Sequence, residues 1–190
     1  MKGRFFMKII DHDFGKFEDI NHLNPRFIAG RTKQKITIDV QTSTEVCQRA
    51  AVVLEQEVRR LFPALCKHDC GTNVDAALEM KGPFNKFRGV IDIVHVIEHI
   101  MIDLMCTLTD LKICSGITCH YWCPPNRFDI FVESTNPKIS LFAAYFATSL
   151  VREIVATQRA DPKFSLLLEK ITHLKPENGQ IDPTQALHLM

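Results

Sequence analysis

The sequence predicts an α+β domain, a layered antiparallel sheet packed against helices, with its most polar motif carried on a buried central helix. Three observations lead there. Lys35–Val40 alternates polar and apolar residues in a β-branched run, as a half-buried strand does. Val90–Leu108 is apolar on most sides, as a core helix is. Residues 111–133 carry two strand-like runs joined through Pro124-Pro125-Asn126, and Asn136-Pro137 then opens a further helical pattern.

Taken in order, residues 1–34 show many Phe, Asn, His and Pro and no clear period, so they read as an N-terminal strand or an irregular arm. The main domain is expected over 35–173. After the first strand, Thr42, Ser43 or Thr44 can cap a helix, with Glu45 near its positive end. That helix runs to about Leu61, and Val46, Ala50, Val53, Leu54, Val58 and Leu61 share one face before Pro63 stops it. Residues 66–88 read as a loop with a helical turn near Val74–Met80. Strands are expected at Leu111–Trp122 and Arg127–Glu133. The next helix places Ile139, Phe142, Ala143, Phe146, Leu150 and Ile154 at helical spacing, and a last one spans Phe164–His173. Residues 174–190 form a polar tail.

A chain of 190 residues and 21.7 kDa holds a core without disulfides. Lys plus Arg number 23 against 22 Asp plus Glu, and no basic stripe stands out, which argues against a nucleic-acid partner. No run is read as long enough to span a bilayer, so no membrane partner is expected either. The seven cysteines are an odd number in a chain without an export signal, which points to reduced thiols or metal ligands and to the cytoplasm.

The informative anomaly is the polar stripe on the apolar helix 90–108: Asp92, His95, Glu98, His99 and Asp103, continued by Asp110. Its centre is His95-Val96-Ile97-Glu98-His99, an HxxEH pattern. Histidines at i and i+4 project one turn apart on one face, so both imidazoles can reach one cation. Glu98 stands beside them, placed to take a proton from a water that the metal activates. That is the chemistry of zinc hydrolases with inverted motif order. By composition the pattern arises by chance about 2 times in 100. A catalytic zinc asks for a third protein ligand. Cys106 lies about 10 Å up the helix axis from His99, too far to share an ion. Cys66, His68 and Cys70, in the preceding loop, remain candidates. The alternative for the stripe is a buried hydrogen-bonded network in which Asp92 and Asp103 hold the histidines.

Here the sequence resembles a family. Leu61-Phe62-Pro63-Ala64-Leu65, then Cys70, then His95-Val96-Ile97-Glu98-His99-Ile100 with Asp103 four residues on, is similar to the N-terminal domain of cyanophycin synthetases. The similarity continues through Phe131-Val132-Glu133 and Asn136 to about Val155, and so covers roughly residues 35–157. The resemblance implies a small α+β domain with a zinc site like that of HxxEH metallopeptidases. His95, His99 and Cys70 would hold Zn²⁺, one per chain, and Glu98 would be the base. The implied substrate is a peptide or polypeptide, of which cyanophycin, a poly-aspartate backbone with arginine side groups, is the family example. One departure bears on substrate: the family's Gly-Phe-Gly-Arg-Thr segment corresponds to Ile113-Cys114-Ser115-Gly116-Ile117-Thr118, with no arginine. A chain of this length has no room for a ligase domain, so synthetase activity is not expected.

Asp103 could accept an imidazole N–H from His99 and fix its tautomer, and Glu133 could relay a proton or bind a substrate amine. Cys114, Cys119, His120 and Cys123 only loosely follow zinc-knuckle spacing, and core thiols are the simpler reading. A non-catalytic module with a structural zinc, or a metal-free dimerisation domain, is the rival to the hydrolase. A lyase of the type that acts on S-ribosylhomocysteine also uses two His and one Cys, but its Cys follows the motif. The Phe-rich N-terminus (Phe5, Phe6, Phe14, Phe17) could be a swapped arm in a homo-oligomer, and packing on the sheet is the simpler reading.

Overall fold

A computed structural model describes residues 5–67, 89–109 and 111–173. Its described strands are β1 (Phe6–Gly15), β2 (Lys33–Gln41), β3 (Gly116–His120) and β4 (Arg127–Glu133), and its helices are α1 (Thr44–Leu61), α2 (Val90–Leu108), α3 (Pro137–Thr157) and α4 (Pro162–His173). The strands form one antiparallel sheet in the order β1-β2-β4-β3. The expected α+β class and antiparallel layer are what the chain adopts.

Each element has a local cause. On β2, Ile36, Ile38 and Val40 point to the helices and are buried, and on β4 Phe128, Ile130 and Val132 do the same. The opposite face is polar: Asp129 accepts from Thr37 Oγ1 (2.6 Å) and Tyr121 Oη (2.9 Å) and pairs with Lys35 (3.3 Å), while Arg127 pairs with Asp39 at 2.8 Å. The Arg127 guanidinium holds the Asp39 carboxyl below its ordinary range. Ser43 caps α1, accepting from Val46 N, and Asn136 caps α3, accepting from Lys138 N and Ile139 N, with Pro137 at the first helical position.

The helices stack in two layers behind the sheet. α2 covers β3 and β4, α3 covers β1 and β2, α1 packs on α3 and α2 from the far side, and α4 rests on α2. Sandwiched in this way, α2 is buried at Ile93, Val94, Val96, Ile97, Ile100, Met101, Leu104, Met105 and Leu108. Ile97→Ala is therefore expected to cost about 2–5 kcal/mol in chemical denaturation. Trp122, at the β3–β4 hairpin, is 96% exposed, and Trp122→Ala should stay within about 0.5 kcal/mol of wild type in the same measurement.

The structure corrects two expectations and decides between two readings of the N-terminal segment. The strand expected from Leu111 begins only at Gly116, because the ladder to β4 ends where Ser115 O accepts from Glu133 N. Before it, Leu111 N donates to Thr109 Oγ1 and Ile113 O accepts from Arg31 Nη1, so these groups are bound outside any ladder. Phe6–Gly15, where the sequence allows a strand or an arm, is a ten-residue edge strand paired with β2. By length and composition α3 could cross a membrane, which the sequence reading did not allow. Yet 67% of its most apolar stretch is buried inside the protein, as in a core helix. The helical turn near Val74–Met80 and the tail 174–190 lie outside the described residues.

Candidate metal centre

α2 begins at Gly89, whose φ of 142° is open to glycine and strained for other residues. Asp92 turns back to accept from Gly89 N at 3.0 Å, so this carboxylate of the stripe caps the helix. One turn on, the periodicity brings His95, Glu98 and His99 together. Their candidate ligand atoms lie within 4.8 Å of one another, and no other group of three His, Cys, Asp or Glu side chains among the described residues gathers in this way.

The two imidazoles converge through Nε2, 3.0 Å apart, with ring centroids 4.7 Å apart. Two nitrogens bound tetrahedrally to one zinc at about 2.0–2.1 Å lie about 3.3 Å apart, so the pair already stands at nearly the spacing of shared coordination. Glu98 and His99 are buried, while His95 keeps partial access to solvent, so the group can be reached from outside through His95.

Glu98 is held from β3. Thr118 Oγ1 donates to its Oε2 at 2.5 Å, which fixes one of the two carboxylate oxygens. Burial pushes the Glu98 carboxyl above its ordinary range, opposed by His95 and by the Thr118 hydrogen bond. A carboxyl whose pKa is raised is the better suited to accept and hand on a proton. Gly116 makes room for it. A Cβ there would stand 2.9 Å from Glu98 Cγ, 3.0 Å from Oε1 and 3.1 Å from Ile102 Cδ1. Gly116→Ala should consequently destabilise by about 1–3 kcal/mol in thermal or urea unfolding, because the buried carboxylate and the partly buried isoleucine packed on the core must both give way. An unchanged midpoint would contradict this close packing.

Cys70, with His68, lies outside the described residues, as does Asp110. Asp103 lies one turn beyond His99, at the groove between the end of α1, α2 and α4 lined by Arg60, Phe62, Ser165 and Glu169. Glu133 is fully buried at the far end of β4. It accepts from Ile28 N (2.7 Å), Arg31 Nη1 (3.1 Å) and Ser115 N (3.1 Å), which ties the 16–32 loop and the entry to β3 to the sheet. Cys119 lies on the polar face opposite Asp129, His120 stacks on Phe128, and Cys123 is exposed at the hairpin, so these three do not converge. Cys114 donates to Glu133 O. The neighbouring Cys106 thiol and burial push its pKa up, and burial pushes Cys119 to about 11, so both are protonated at neutral pH.

Thr118 and Gly116 are the residues that sequence reasoning missed. Their signal was positional: both belong to the Ile113–Thr118 segment that the resemblance sets against Gly-Phe-Gly-Arg-Thr, and strand alternation puts them on the same face.

Comparison with known proteins gives one finding. A family model described as cyanophycin synthase-like N-terminal domain matches residues 35–156, from β2 to the end of α3, and so contains the whole His95–Glu98–His99 group. No curated protein matches the chain.

Proposed function

The chain belongs to the cyanophycin synthase-like N-terminal domain family, and from that premise we propose that it is a zinc-dependent hydrolase of peptidase type, acting on a peptide or isopeptide polymer of the cyanophycin kind. The observation that carries this reading is the pair of Nε2 atoms 3.0 Å apart beside a buried carboxylate held in place by Thr118.

The donor set suits zinc: two imidazoles from one helix face, with Cys70 from the preceding loop as the third ligand by the family resemblance. Zinc bound there supplies Lewis acidity, polarising the scissile carbonyl and lowering the pKa of a water. The protein's own part is carried by Glu98. With Oε2 held by Thr118, the carboxylate presents Oε1 to the water, takes its proton, and delivers that proton to the departing amine. His95 and His99 are presented by a helix packed on both sides, so their spacing is set by the fold and not by the ion. The packing of Gly116 against Glu98 limits the carboxylate to one position. A structural zinc plug or a hydrogen-bonded network requires no carboxylate fixed beside the histidines. The proposed setting is the cytoplasm, without nucleic-acid or membrane partners.

The direct test is cleavage of a soluble oligomer with an α-linked aspartate backbone and arginine side groups, followed by mass spectrometry. Activity should disappear on treatment with a chelator and return with one equivalent of zinc. Zinc-loaded protein that leaves the oligomer and a panel of linear peptides intact would refute the hydrolase reading.

A further inference from the structure

β3 lies at the edge of the described sheet, paired with β4 on one side only. Its backbone polarity can be assigned from its two ends. Ser115 O accepts from Glu133 N at 2.9 Å and Tyr121 N donates to Arg127 O at 3.0 Å, so the odd-numbered residues turn their N–H and C=O towards β4. By the alternation of an antiparallel ladder, Gly116, Thr118 and His120 turn theirs away from it. Gly116 agrees: its outward carbonyl accepts from Asn24 Nδ2 of the 16–32 loop at 2.7 Å. Beyond that point, no described residue hydrogen-bonds to the outward backbone groups of Thr118 or His120.

The open stretch runs beside the candidate metal centre. Gly116 packs on Glu98 and Ile102, and Thr118 bonds Glu98, so β3 advances towards the N-terminal end of α2, where His95 lies. The same residue, Thr118, thus fixes the base through its hydroxyl and offers an unused N–H and C=O along the edge.

We infer that an extended α-peptide main chain docks on the β3 edge as a fifth strand, pairing with Thr118 and His120, and that this pairing lays the substrate backbone alongside Glu98 and His95. The inference rests on the hydrolase reading for its functional meaning. An added strand lies about 4.8 Å from β3, within reach of the partly accessible His95 side of the group. Recognition is through main-chain hydrogen bonds repeated every second residue, so the ligand must carry consecutive α-amides. Asn24 closes the Gly116 end of the edge, so pairing is confined to the stretch facing the centre.

The test is residue-resolved amide hydrogen exchange by NMR on zinc-loaded full-length Glu98→Gln protein, titrated with the α-linked aspartate oligomer bearing arginine side groups. The Thr118 and His120 amides should exchange freely in the unliganded protein and slow at least tenfold on saturation. Ile117 and Cys119, already paired with β4, should not change, nor should any of the four with the β-linked aspartyl-arginine dipeptide, which lacks consecutive α-amides. Repeating the titration on metal-stripped wild type guards against an effect of the substitution. Thr118 and His120 amides already protected without ligand, no binding of the oligomer, or binding without their protection would each overturn the inference. Cleavage by zinc-loaded wild type with an unprotected edge would remove this inference alone. Edge protection in a protein that binds no metal and cleaves nothing would leave a peptide-binding edge and remove the hydrolase.

Discussion

Glu98→Gln is expected to lower polymer cleavage by about 1,000-fold while leaving the zinc content at one per chain, within the range general-base removal produces. Gln is isosteric, and its carbonyl oxygen can still accept from Thr118 Oγ1, so the cradle formed by Gly116 and Thr118 stays filled. What is lost is the basic oxygen beside His95 and His99. Because burial of the Glu98 charge is unfavourable, the variant should be no less stable than wild type. Turnover and metal content, measured on the same preparation, separate the roles of base and ligand. A variant that loses both would make Glu98 a ligand; one that keeps full activity would remove it from the chemistry.

The largest effect on stability is expected at Glu133. Its carboxylate is fully buried and collects Ile28 N, Arg31 and Ser115 N, three donors from two separate segments. Glu133→Ala leaves those donors without their acceptor inside the protein and should cost about 3–5 kcal/mol. In a chain of this size that lowers the melting temperature by on the order of 10 °C. Glu133→Gln keeps one carbonyl acceptor and should recover part of the loss. Lys33 adds to the same region: fully buried, it donates to Asn21 Oδ1 (2.8 Å) and to the carbonyls of Lys16 and Arg31 across the same loop, over the ring of Phe27. Calorimetry of the Ala variant decides the matter. A change below about 1 kcal/mol would mean that the loop is held by other contacts, and Glu133 would again be open to a role with substrate.

These two glutamates also show what could be read in the sequence. Glu98 was legible because its partners His95 and His99 lie on the same helix, and helical spacing alone brings them together. The boundaries of α2, from Val90 to Leu108, followed from an apolar run that ends in polar residues, and α3 from Asn136-Pro137 as cap and first residue. The surroundings of Glu133 were not legible, because its partners Ile28 and Arg31 stand more than 100 positions earlier and meet it only when β2 pairs with β4. Thr118 was hidden for the same reason: its link to Glu98 crosses from an edge strand to a helix. The start of β3 was misjudged because the Leu111–Ser115 run has strand composition, while Thr109, Arg31 and Glu133 take up its backbone groups before a ladder can form. Side chains that act locally can be found by periodicity; those that join layers require the fold.

His95 and His99, with Cys70, are proposed to hold one zinc ion. This is tested most directly by metal analysis of protein purified without added metal, comparing wild type with His95→Ala, His99→Ala and Cys70→Ala. Wild type should carry about one zinc per chain and all three variants should lose it, each still folded by circular dichroism. Wild-type protein free of metal, or variants that retain zinc, would contradict the proposal and leave the histidine pair as a buried hydrogen-bonded network.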